Sequence, residues 1–300
     1  MCCLFGIIDY GMNISGRQKA RMLSILATEC EARGTDATGI AYNSGDRLHI
    51  FKRPQAAHEL RFFIPNGTRV IMGHTRMTTQ GSEKKNYNNH PFPGVTENQT
   101  FALAHNGVLY NDRILQRTEA LPKTHIETDS YVAVQLIEQK KALSLDSLRY
   151  MAEKVEGSFV FTALSDDDKL YIVKGDNPIC IYHFPKYGLY MYASTEEILK
   201  TAIEKMHMSR SKTKRIFMKS GDIICINKNG SIDMGEFNVD SMFSYSYISP
   251  FTWRRPSTSY VQELKAVAKY YGYDGTIIDS MLADGFTTEE VEDLLYCGGM

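Results

Sequence analysis

A cysteine directly behind the initiator methionine, in the run MCCLFGIID, has a chemical option that an internal cysteine lacks. Removal of Met1, which a small second residue permits, gives Cys2 a free α-amino group beside its own thiol. An α-amine titrates near ~8, so at neutral pH a minority is unprotonated and takes the thiol proton, directly or through a water. The thiolate then attacks an amide carbonyl, the same amine returns a proton to the leaving nitrogen, and water clears the acyl-enzyme. No histidine is needed for this. The plainer reading makes Cys2 and Cys3 incidental residues of a frayed end, and the remainder of the chain decides between the two.

Five further clusters come in order: RGTDATG at 33–39, GHTRMTTQG at 73–81, NNHPF at 88–92, HNG at 105–107 with Asn111, and ETDS at 127–130. With the MCCLFGI start, this series resembles the motifs of class II glutamine amidotransferases, N-terminal-nucleophile hydrolases that convert glutamine to glutamate and ammonia. ASTEE at 193–197 is similar to a later motif of that class and extends the likeness to about residue 240. The resemblance implies roles. Cys2 is the nucleophile, with its own amine as acid and base. Arg76 is the ligand of the substrate α-carboxylate with Thr79 beside it, a task suited to a planar, bidentate guanidinium. Asp129 accepts the α-ammonium, and Asn106 and Gly107 supply the side-chain amide and backbone N–H of an oxyanion hole. Arg33 and His74 support the site from behind, and Asp36 shapes the loop. Each has an ordinary alternative: a solvated strand-end arginine, a helix N-terminal charge at Asp129, an Asn-Gly turn at 106–107.

The chain departs from the class at a few positions. Cys3 stands where glycine usually comes after the nucleophile, Leu4 replaces isoleucine, Met77 a large aromatic, Thr78 a small alanine, and Gln80 a frequent histidine. These changes surround the thiol and the closing loop, and leave the reacting groups in place.

The elements that must position these residues are legible as patterns. LFGII at 4–8 reads as a buried strand, and RQKARMLSILATECEARG as an amphipathic helix with Met22, Ile25, Leu26 and Cys30 at helical spacing. Strand-like runs come next at GIAYN, RLHIFK, RVIMGHTR and QTFALAHNG. Helical spacing returns between 127 and 154, strands resume at GSFVFTAL, KLYIVKG, ICIYHF and GLYMYAS, a helix is expected near STEEILKTAIEKM, and a hairpin through GDIICINKNGSIDM turns at Lys228, Asn229 and Gly230. Strands, helices and strands again favour segregated layers over βαβ alternation. The expected fold is α+β, specifically the four-layer αββα sandwich that the resemblance implies, with a small C-terminal helical extension.

Boundaries are expected at 2–240 for the glutaminase unit, 241–259 for a linker rich in hydroxyl and aromatic side chains, and 260–300 for the extension. YVQELKAVAKYYG, TIIDSMLADG and TTEEVEDLLY give the extension three short amphipathic patterns. Its SMLADGFTTEEVEDLLY stretch resembles the ubiquitin-associated three-helix type in its Gly-Phe after a short helix; a helical cap packed on the main domain is the favoured reading.

Composition excludes several classes. The 300 residues carry 34 Lys+Arg against 35 Asp+Glu, a net charge of -1, which gives no electrostatic reason to expect nucleic acid or an acidic membrane as partner. No apolar run approaches the roughly 20 residues needed to span a bilayer, and a cytosolic protein is expected. The six cysteines, at 2, 3, 30, 180, 225 and 297, form no CxxC pair or zinc pattern, so the last four read as small buried hydrophobes. His74, His90 and His105 are 16 and 15 residues apart, which is no ligand signature, and neither metal nor cofactor is expected. After residue 240 there is no Gly-rich phosphate loop and no SGGxDS-type motif. The expected partners are therefore L-glutamine as substrate and a separate synthase subunit that accepts the ammonia. A catalytically silent glutamine-binding module, or a hydrolase of another γ-glutamyl amide, are the alternatives.

Overall fold

A computed structural model describes residues 2–45, 47–242, 258–270, 272–284, 286 and 288–296. Met1, Cys297 and most of the expected linker, residues 243–257, lie outside the described residues.

Thirteen strands and eight helices succeed one another among the described residues. β1 (Cys3–Asp9), α1 (Gly16–Glu29), β2 (Ala37–Ser44), β3 (Arg47–Arg53) and β4 (Val70–Arg76) come first. β5 (Phe92–Val95), β6 (Thr100–Leu109), α2 (Asp112–Thr118), α3 (Tyr131–Gln139) and α4 (Leu145–Lys154) are next, then β7 (Gly157–Ser165), β8 (Leu170–Lys174), β9 (Cys180–Phe184) and β10 (Leu189–Ala193). The main body closes with α5 (Glu196–Lys205), β11 (Lys214–Ile216), β12 (Asp222–Ile226) and β13 (Ile232–Glu236); α6 (Thr258–Tyr270), α7 (Thr276–Ala283) and α8 (Thr288–Tyr296) form the C-terminal part.

The strands build two antiparallel sheets, one of seven strands in the order β11-β9-β10-β1-β4-β2-β3 and one of six in the order β13-β12-β8-β7-β6-β5. Alternation along β1 explains why it sits at the centre of the first. Leu4 and Ile8 point into the layer between the sheets, among Ala41, Val70 and Met72 of their own sheet and Ala104, Val160 and Ile172 of the other. Cys3, Phe5 and Ile7 point the opposite way, onto Leu23, Leu26 and Ala27 of α1 and Leu199 of α5. The second sheet covers its outer face with α3 and α4, through Val132, Leu136, Leu148 and Met151. The layers are thus helix, sheet, sheet, helix, as expected for the αββα sandwich.

Local chemistry starts the helices. Ser15 caps α1 by accepting the N–H of Gln18 while the Gln18 side chain takes the Ser15 N–H, a reciprocal capping box. Ser144 caps α4 through the same kind of box with Ser147, and Thr195 caps α5 by accepting the Ile198 N–H. Three elements were not anticipated: α2, and the strands β5 and β11, which at four and three residues are too short to show a period.

The three C-terminal helices share a cluster of Leu264, Val267, Ala268, Ile278, Val291 and Leu295, and Met77 of the main body packs against it. Among the described residues no helix is long and apolar enough to cross a membrane. Cys30, Cys180 and Cys225 are buried.

Candidate active site

Cys2 lies just before β1, half-buried. Its thiol donates to the Met77 carbonyl at 3.5 Å, and its own carbonyl accepts Nε–H of Arg33 at 2.9 Å. The next thiol, on Cys3, is fully buried in the cluster facing α1. Strand alternation therefore turns the two neighbouring sulfurs to opposite sides, and only Cys2 of the pair lines the pocket.

That pocket opens between the ends of β1, β4 and β6. From the expected set it brings together Cys2, Arg76, Thr79, Gly107 and Asp129. Asn106, Arg33 and His74 are buried behind its wall. Met77, Gln80, His90, His105, Thr128 and Ser130 complete the lining. His90 stands in the NNHPF motif and His105 in the HNG motif, so the pattern was visible while their place on the wall was not.

Arg76 ends β4, almost fully buried. One arm of its fork donates to the Asn89 side-chain carbonyl at 2.7 Å, and the other to the backbone carbonyls of Gln80 at 2.6 Å and Gly81 at 3.2 Å. The loop after β4 is thus folded back on the guanidinium that begins it. Asp36 holds the same loop, accepting the N–H of Thr78 at 2.7 Å. Asn89 is in turn fixed by donating to the Glu83 carbonyl at 2.7 Å.

Asp129 precedes α3. One oxygen accepts the Leu109 N–H at 2.6 Å, the other the Ser130 hydroxyl at 3.4 Å. Burial pushes its carboxyl up to about 6, and the backbone donors of Leu109 and Ser130 only partly oppose that rise. A buried carboxylate this costly to ionise is suited to receive a cation.

Gly107 adopts φ 140°, and a Cβ there would sit 1.8 Å from the Ser158 carbonyl oxygen, so only glycine fits. The Asn177 side chain donates to the Asn106 carbonyl at 2.9 Å, fixing the peptide plane that carries the Gly107 N–H. The Asn106 amide donates to Ser194 Oγ at 3.4 Å. Ser194 also accepts the Leu4 N–H at 2.8 Å, which ties the start of β1 to the end of β10.

The three histidines form a buried group. His74 donates through Nε2 to the His105 carbonyl at 3.0 Å, and His105 Nδ1 meets Ser130 Oγ at 2.8 Å. His74 and His90 pack ring to ring at 4.2 Å between centroids. Burial pulls His74 and His105 down to about 3 and His90 well below the usual imidazole range, with Arg76 adding to the effect at His74 and His90. All three are neutral at physiological pH. Among the described residues no group of His, Cys, Asp and Glu is arranged to hold a metal ion.

No family model matches the chain. The glutamine–fructose-6-phosphate aminotransferase (isomerizing) of Halalkalibacterium halodurans is 31% identical over 190 residues, 60% of this chain and 30% of that protein. The Bacillus cereus enzyme of the same name is 29% identical over the same length. The chain therefore spans about a third of the length of these curated relatives. Among solved structures, glutamine phosphoribosylpyrophosphate amidotransferase from B. subtilis superposes with a TM-score of 0.62 at 20% identity, covering 79% of this chain and 49% of that one. A structure of the allosteric regulatory enzyme of purine biosynthesis gives 0.63 at 19% identity over the same shares. These relatives are class II glutamine amidotransferases, and the chain is similar to part of them and shares the fold of the solved ones.

Proposed function

We propose that this chain hydrolyses the side-chain amide of L-glutamine to glutamate and ammonia through a Cys2 thioester, as a class II glutamine amidotransferase acting in the cytosol. The observation that carries the reading is the convergence of the Cys2 thiol, the Arg76 guanidinium and the Asp129 carboxylate on one pocket. A free amino acid presents a carboxylate and an ammonium at fixed separation, and the last two groups match that pair. The reactive amide then lies toward Cys2.

Once Met1 is removed, the α-amine of Cys2 takes the thiol proton and the sulfur attacks the amide carbon. The Gly107 N–H stabilises charge as it develops on the amide oxygen; the Asn106 amide joins it by exchanging its long contact to Ser194 for the oxyanion. The ammonium of Cys2 returns its proton to the departing nitrogen, and water, deprotonated by the same amine, releases glutamate. Arg76 takes the α-carboxylate when the loop carbonyls of Gln80 and Gly81 yield one arm of its fork. Thr79 lies beside that carboxylate, and Arg33 and His74 hold the frame.

On this reading residues 2–240 are the glutaminase unit and 260–300 an extension of it. The ammonia passes to a synthase that consumes it, and a separate synthase subunit is the proposed acceptor. The clamp reads the amino-acid head group and leaves the substituent on the amide nitrogen unread, so another γ-glutamyl amide competes as substrate; a competition assay against glutamine ranks the two.

The deciding experiment is intact mass together with ammonia release from glutamine, for the wild type, Cys2→Ala and Cys3→Ala. Loss of Met1, with activity abolished by Cys2→Ala and kept by Cys3→Ala, is the expected result. Retained Met1 and no turnover would point to a silent binding module.

A further inference from the structure

We propose that Glu292, on the last helix, is a positioning residue for the Cys2 nucleophile, acting through Arg33. The inference rests on the cysteine chemistry proposed above. It assigns to the C-terminal helices a part in that chemistry, and two independent contacts point to it.

The first contact is an ion pair. Arg33 is fully buried at the turn after α1, where its Nε–H holds the Cys2 carbonyl at 2.9 Å. Its Nη2 lies 3.4 Å from a carboxylate oxygen of Glu292, 259 residues further along the chain. A guanidinium taken out of water needs an anion to hold its charge and its direction. Glu292, itself buried to within 8% exposure, supplies an anion at Nη2.

The second contact is apolar. The carbonyl of Met77 receives the Cys2 thiol at 3.5 Å, while the Met77 side chain packs against the cluster of Leu264, Val267, Ile278, Val291 and Leu295. Met77 is one of the positions at which the chain departs from its class, a flexible thioether standing in place of a large aromatic. An unbranched side chain fits the irregular surface of a small helical unit. Two groups that hold Cys2, one at its carbonyl and one at its sulfur, are thus each held by α6–α8.

Glu292→Gln keeps the shape and removes the anion, so Arg33 loses its charge partner and the Cys2 carbonyl loses a fixed donor. The expected result is a fall of about tenfold in kcat for ammonia release, a loss of orientation, with KM for glutamine within about twofold, since Arg76 and Asp129 are untouched. Glu292→Asp, which restores the charge, recovers part of the loss. Glu292→Gln added to Arg33→Gln costs no more than Arg33→Gln alone, because the two act in series. The rate of iodoacetamide alkylation of Cys2 without substrate, read from the mass of the N-terminal peptide, changes by about threefold or more in Glu292→Gln.

The alkylation rate separates the two levels of the argument. A wild type that releases no ammonia overturns the glutaminase reading, and the alkylation rate still tests the contact. Glu292→Gln with kcat and alkylation both within about twofold of wild type overturns the positioning role. So does a loss that appears equally in KM, or one that is repeated in full on the Arg33→Gln background.

Discussion

The Leu109 N–H reaches Asp129 Oδ2 at 2.6 Å, so the end of β6 and the turn into α3 jointly hold one buried carboxylate in the lining of the pocket. Its carboxyl sits at about 6 because burial outweighs that donor. A raised acid binds its proton more tightly when folded, so stability falls as pH rises between about 4 and 6 and the full cost persists above 6. Asp129→Asn removes this cost. It should raise the melting temperature at pH 7.5 by a few degrees, about 1–3 kcal/mol, and leave it unchanged at pH 4. The same change should raise KM for glutamine by about a hundredfold, since the ammonium loses its anion. In the wild type KM should climb as pH falls through 6. A melting temperature lowered at pH 7.5 would refute the account of a strained carboxylate awaiting a cation.

Arg76 spans the Asn89 side chain and the carbonyls of Gln80 and Gly81, a reach that needs a planar fork. In Arg76→Lys a single ammonium satisfies one side at most. KM for glutamine should rise by about 10- to 100-fold, and limited proteolysis should cut within residues 78–85 sooner than in wild type. An unaltered KM would show that the guanidinium serves the loop and not the substrate.

Gly107→Ala meets both a left-handed backbone and the Ser158 main-chain oxygen. Neither can be relieved by a rotamer, so a destabilisation above about 3 kcal/mol is expected. Chemical denaturation of the purified variant measures it. A midpoint equal to wild type would mean that β6 and β7 separate more readily than their register suggests.

The His74, His90 and His105 group should govern acid unfolding. All three are depressed by burial, so their stabilising effect is complete above the unfolded imidazole value near ~6.5 and is lost as pH falls below it. At pH 5 unfolding lets three imidazoles take up protons while Asp129 gives one back, a net uptake of about two from these four groups. Calorimetric unfolding at pH 5 in buffers of different ionisation enthalpy counts the protons. Net release would overturn the assignment.

Much of this was readable in the chain. The apolar run at 4–8 placed β1, and the helical spacing of Met22, Ile25, Leu26 and Cys30 placed α1. The ordered motifs named five of the residues that line the pocket, Cys2, Arg76, Thr79, Gly107 and Asp129. What the motifs could not carry was direction. Asn106 was expected as an oxyanion donor, and its amide meets Ser194, 88 residues away just after β10. The Asn89 contact that fills one side of Arg76 depends on how the loop after β4 folds back, and the Arg33–Glu292 pair joins the two ends of the chain. Such pairings arise from tertiary packing, which leaves no periodic trace in a single sequence.

The middle layer has a further consequence. Cys2 belongs to one sheet and Gly107 to the other, and between them stands a stack of aliphatic side chains, Leu4, Met72, Ala104 and Val160 among them. That stack acts as a feeler gauge, setting the gap between the Cys2 sulfur and the Gly107 N–H by the summed width of its side chains. The separation of these two groups is therefore written partly in methyl groups.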